Sequence, residues 1–101
     1  MSTIIYGMLK EEKQRNLEMQ ETYTKEINLL PKGSIISREI HGKKYYYLNY
    51  RSGSKTISEY IGKDELQIEQ LRKKIARRKR LQATVKRLKI EYKGICKIVK
   101  E

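Results

Sequence analysis

Ser34-Ile-Ile-Ser-Arg-Glu-Ile-His-Gly-Lys-Lys-Tyr-Tyr-Tyr-Leu-Asn-Tyr-Arg-Ser-Gly-Ser-Lys-Thr-Ile-Ser-Glu-Tyr-Ile-Gly62 is the stretch that decides the fold. Residues 35–40, 43–51 and 54–61 are rich in Ile, Tyr and Thr, which favour pleated strands. His41-Gly42 and Ser52-Gly53 lie between them, each with Gly second, as suits two-residue hairpin turns that need positive φ. The expectation is a three-stranded antiparallel meander.

The turns imply a register. Pairing Ile40 with Lys43 puts Arg38 opposite Tyr45 and Ile36 opposite Tyr47. Pairing Arg51 with Ser54 puts Asn49 opposite Thr56 and Tyr47 opposite Ser58. One face then holds Ile35, Tyr46, Leu48, Tyr50, Ile57 and Ile61, and is assigned to the core. The other holds Arg38, Lys43, Tyr45, Tyr47, Asn49, Arg51, Ser58 and Tyr60, and is assigned to solvent. A one-residue slip at either turn would exchange the faces.

Outward from the sheet, both flanks read as helix. Residues 2–29 contain no Pro and carry Ile5, Leu9, Met19, Tyr23 and Ile27, with Leu30 just beyond, near a 3–4 spacing. Glu12 and Asn16 interrupt that stripe. Pro31 ends the helix by restricting the residue before it. Residues 63–101 read as one long helix capped by Asp64, with Glu65 and Glu69 near its positive end. Its expected seam runs through Leu71, Lys74, Arg78, Leu81, Val85, Leu88, Tyr92, Ile95 and Val99, apolar from Leu81 onward. About 38 helical residues would reach roughly 57 Å, so the overhang must pack on the first helix or on a second chain. The expected fold class is α+β: a long N-terminal helix, a three-stranded antiparallel β-meander and a long basic C-terminal helix. At 101 residues the length prior is one domain.

Charge dominates the composition. There are 24 Lys and Arg against 12 Asp and Glu, a formal net charge of +12. Residues 1–62 carry 10 basic and 7 acidic side chains, whereas residues 63–101 carry 14 and 5. Residues 71–89 hold ten cations and no acid: Arg72, Lys73, Lys74, Arg77, Arg78, Lys79, Arg80, Lys86, Arg87 and Lys89. Such crowding repels at i,i+4, and a phosphate backbone relieves it by releasing counterions. A solvated face usually interleaves both signs, as the first helix does. These ten residues, with Arg38, Lys43, Tyr45, Tyr47, Asn49, Arg51 and Lys55 on the sheet, form the candidate nucleic-acid surface. Arg and Asn can read base edges, and Tyr can contact phosphate or stack on unpaired bases. The plainer reading of the tyrosines is that they are good strand formers with cross-strand partners.

Other chemistry finds little support. No apolar run approaches a membrane span of ~20 residues, and the N-terminus lacks the pattern of a signal peptide. Cys96 is alone and His41 is the single histidine, so no internal disulfide or usual zinc pattern is expected. Cysteine usage fits a reducing, cytoplasmic setting. Cys96 reads as a structural thiol and His41 as a turn residue. No catalytic constellation, metal site or cofactor motif is expected, and the protein is expected not to be an enzyme.

The run from Leu30 to Lys63, with LPKGSI, then GKKYYYLNYR, then SEYIGK, resembles a module of small uncharacterised proteins of low-GC Gram-positive bacteria and their mobile elements. More loosely it resembles the integrase arm-type domain, whose three-stranded sheet enters the DNA major groove. That likeness implies that Arg38, Tyr45, Tyr47, Asn49 and Arg51 would face DNA. The long flanking helices depart from the arm-type pattern. Three functions are therefore open. The first is a non-enzymatic DNA- or RNA-binding protein of a phage or mobile element. The second is an anti-CRISPR-like inhibitor that binds a nuclease effector or its guide RNA. The third is a coiled-coil adaptor, with a homodimer formed through the long helices.

Overall fold

The structure, a computed structural model, describes residues 3–99. Element order is α1 (Thr3–Leu29), β1 (Ser34–Ile40), β2 (Lys43–Ser52), β3 (Lys55–Gly62) and α2 (Glu65–Ile98). The fold is α+β, with two helices flanking a three-stranded antiparallel sheet of order β1-β2-β3. Positions 2, 100 and 101, included in the expected helices, lie outside the described residues.

The chain divides into two compact units. One spans Leu30–Arg78; the other combines residues up to Leu29 with those from Lys79 onward.

In the Leu30–Arg78 unit, β1 and β2 pair as the first turn dictates, with Ile40 opposite Lys43, Arg38 opposite Tyr45 and Ile36 opposite Tyr47. His41 and Gly42 have φ of 51° and 78°, the two left-handed positions of a type I′ turn. The second hairpin differs from expectation. Arg51 faces Thr56 rather than Ser54, Asn49 faces Ser58, and Tyr47 faces Tyr60. The turn is centred on Gly53-Ser54, with Gly53 at φ 63° in the first central position, the glycine placement of a type II′ turn. A two-residue slip leaves every side chain on its face, because the strand period is two. A bulge between Tyr46 and Tyr47 then resets the ladder so that Tyr46 meets Gly62.

The more buried face is the one that carries Tyr46. Tyr46 is buried, and Ile35, Leu48, Tyr50, Ile57 and Ile61 are half-buried. Its rim holds one polar pair: the Tyr50 hydroxyl donates to Glu59 Oε1 at 2.6 Å, and Lys32 Nζ lies 6.0 Å from the Tyr50 ring centroid. That hydrogen bond, with desolvation and the carboxylate charge, raises the Tyr50 pKa above the usual tyrosine value. A raised pKa stabilises the fold below the unfolded value near 10 and loses that contribution as pH climbs through the folded one. Absorbance titration should therefore find the Tyr50 phenol among those that ionise late, and Glu59→Ala should move it back towards the ordinary range.

Helix α2 starts where sequence logic places it. Asp64 Oδ1 accepts from the Leu66 amide at 3.0 Å, an N-cap, and Ile68 N donates to Asp64 O at 3.0 Å. In this unit α2 buries Ile68 and Ile75, while Lys74, expected in the seam, is exposed. Ile75 is the apolar residue at that turn, and burying Lys74 would mean desolvating a charge. Arg78 is half-buried, and its Nη1 donates to the Leu30 carbonyl at 2.7 Å.

In the other unit, α1 and the later part of α2 run antiparallel. Lys13 Nζ lies 5.9 Å from the Tyr92 ring centroid, Asn16 reaches Leu88, and Ile27 lines a groove with Gln82 and Val85. The apolar seam from Leu81 onward is thus covered by α1 of the same chain, with Leu81, Val85, Leu88 and Val99 buried. Asn16, an interruption in the stripe by sequence, is 1% exposed. Its Nδ2 donates to Leu88 O at 2.9 Å and its Oδ1 accepts from Gln20 Nε2 at 2.6 Å. A buried amide is tolerated because both ends are satisfied. Asn16→Ala should cost about 1–3 kcal/mol, read as a lower denaturation midpoint with unchanged helical circular dichroism. A midpoint equal to wild type would show that the amide contributes nothing to the pairing.

Candidate nucleic-acid interface

On the outward sheet face, strand alternation and register bring aromatic and basic side chains together. Tyr45 and Tyr47 are two apart on β2, so both point outward. Tyr60 on β3 lies between them. Its ring centroid is 6.3 Å from that of Tyr45 with the planes at 47°, and 5.5 Å from that of Tyr47 with the planes at 58°. Arg38 Cζ lies 5.1 Å from the Tyr47 centroid, and Lys63 Nζ lies 5.6 Å from the Tyr45 centroid. The result is a row of three tyrosines with a cation over each outer ring.

Tyr60 and Lys63 were absent from the site expected from sequence. The sequence puts Tyr60 on the outward face without counting it in the site, and puts Lys63 in the helix that follows the sheet. With the turn centred one residue early, Tyr47 meets Ser58 and Tyr60 stands opposite Tyr45, still on the outward face. Gly in the first turn position, followed by a small polar residue, is the signal that would have found the true pairing.

The remaining sheet residues fare unequally. Lys43, Arg51 and Lys55 are exposed at the two turn ends. Asn49 is half-buried, and its Oδ1 is buried without a hydrogen-bond partner among the described residues. That acceptor is not presented to a ligand, which corrects its expected role as a reader of base edges.

The cations of α2 divide between the two units. Arg72, Lys73, Lys74 and Arg77 are exposed in the Leu30–Arg78 unit. Lys79, Arg80, Lys86, Arg87 and Lys89 are exposed in the other, and Arg87 Nε lies 3.9 Å from Glu91 Oε1. Arg78 departs from the expected surface, because its guanidinium is bound to the Leu30 carbonyl. No helix among the described residues is long and apolar enough to cross a membrane.

A family model for a domain of unknown function, DUF6788, matches residues 8–73, more than half of the chain. The chain belongs to the DUF6788 family. No curated protein and no solved structure matches it. The DUF6788 match takes in all seven sheet residues of the candidate surface, together with Tyr60 and Lys63, but only Arg72 and Lys73 of the ten α2 cations. Lys74 and everything after it lie beyond the matched segment.

Proposed function

We propose that this protein binds nucleic acid without catalysing a reaction, as part of a phage or mobile element. The exposed cations of α2 would lie on the phosphate backbone, and the tyrosine face of the sheet would orient the contact. The observation that carries the reading is the acid-free run of ten cations at residues 71–89, nine of them exposed. Cations so placed repel one another in the free protein, and phosphates relieve that repulsion while releasing condensed counterions. The sheet adds polarisable rings and two cations on its outward face.

Salt dependence tests this directly. About six neutralised phosphates give a log–log slope of affinity against salt of roughly −5. Fluorescence anisotropy with labelled duplex and single-stranded oligonucleotides between about 50 and 200 mM salt should show that steepness. Affinity that stays flat over this range, or no binding at the lowest salt, sinks the proposal.

A further inference from the structure

We infer that the tyrosine row of the sheet is a stacking site for one unpaired nucleobase, received on Tyr60, with the phosphates on either side met by Arg38 and Lys63. This rests on the nucleic-acid reading and narrows it to the sheet face.

The three rings are not equivalent. Tyr45 and Tyr47 are half-buried and each has a cation over it. Tyr60 is 55% exposed and has no cation over it among the described residues. Its tilt of 47° and 58° against its neighbours leaves no parallel slot in which a base could be sandwiched. A ligand ring must therefore stack from outside, and there is room in this arrangement for one. The neighbouring rings pack against the Tyr60 ring in tilted contact, so less rotamer freedom remains to be lost on binding. Arg38 and Lys63 are exposed, at opposite ends of the row, where the anionic links on each side of a stacked base would run. Bases within a continuous duplex have both faces covered by their neighbours. An extruded or single-stranded nucleotide offers a free face. Stacking needs no particular base, so the site should be tolerant of sequence.

The test uses three labelled DNA probes: a blunt duplex, the same duplex with one bulged nucleotide, and the bulged duplex with an abasic residue at the bulge. The expected result is about tenfold tighter binding to the bulged probe than to the blunt one, with the gain lost on the abasic probe. Tyr60→Ala should bring the bulged probe to the level of the blunt one measured with the same variant, and Tyr60→Phe should keep the preference. Equal wild-type affinity for all three probes overturns the inference without using any variant, and so does a preference that survives Tyr60→Ala. Those outcomes leave the broader nucleic-acid reading standing, whereas wild-type protein that binds none of the probes at low salt removes both.

Discussion

Replacing Lys73, Lys74, Lys79 and Arg80 together by glutamine should weaken binding to duplex DNA by about three orders of magnitude at 0.1 M salt. Each phosphate contact contributes about 0.9 to the slope of log affinity against log salt, so losing four removes between three and four units. All four side chains are exposed, and none has a hydrogen bond or ion pair within the described residues. Glutamine keeps the helix propensity and most of the aliphatic stem. The variant should therefore fold like wild type and gain slightly in helix stability, because four repelling charges are gone. A slope that stays near −5 would show that the phosphates lie elsewhere. Arg78 is left out because of its hydrogen bond to Leu30. Arg78→Gln should lower stability more than affinity.

Gly33→Ala should destabilise the Leu30–Arg78 unit by about 3 kcal/mol or more, lowering the melting temperature by roughly 12 °C or more. Gly33 has φ of 111°, in a region that L side chains rarely adopt. A Cβ there would also be driven into the Asn49 carbonyl oxygen, with the Tyr50 Cβ 3.0 Å away. Both obstacles are backbone or backbone-proximal atoms of the central strand, so neither can swing aside. Ser34, the next residue, pairs with Asn49. The glycine therefore lets the chain turn tightly over β2 as it enters β1. Gly7→Ala provides the opposite sign. Gly7 lies inside α1 with nothing within 4 Å of a new Cβ, and alanine there should add about 0.5–1 kcal/mol. A Gly33→Ala melting temperature within a degree or two of wild type would refute this account of the Pro31-Lys32-Gly33 link.

Much of this chain is written in local signals. The break at Pro31, the turn at His41-Gly42, the cap at Asp64 and the assignment of Tyr46 to the buried face all follow from a few adjacent residues. The concentration of positive charge at residues 71–89 needs no structure at all. The places where sequence and structure part share a physical cause. A two-residue slip in the second hairpin preserves the pattern of faces, so hydrophobic alternation cannot detect it. That slip decides whether Tyr60 stands opposite Tyr45 or opposite Tyr47.

By itself, then, the sequence determined the elements, their order, the sheet face that turns inward and the location of the charge. These rest on periodicity, turn chemistry and composition, each confined to a short window. Only the tertiary structure decided which groups meet across long separations. Asn16 is interior because the Leu88 carbonyl, 72 residues away, accepts its amide, and Arg78 is held because the Leu30 carbonyl, 48 residues away, accepts its guanidinium. A polar side chain in an apolar stripe reads as an interruption until its partner is known. Whether it is buried depends on a hydrogen bond that no local pattern encodes.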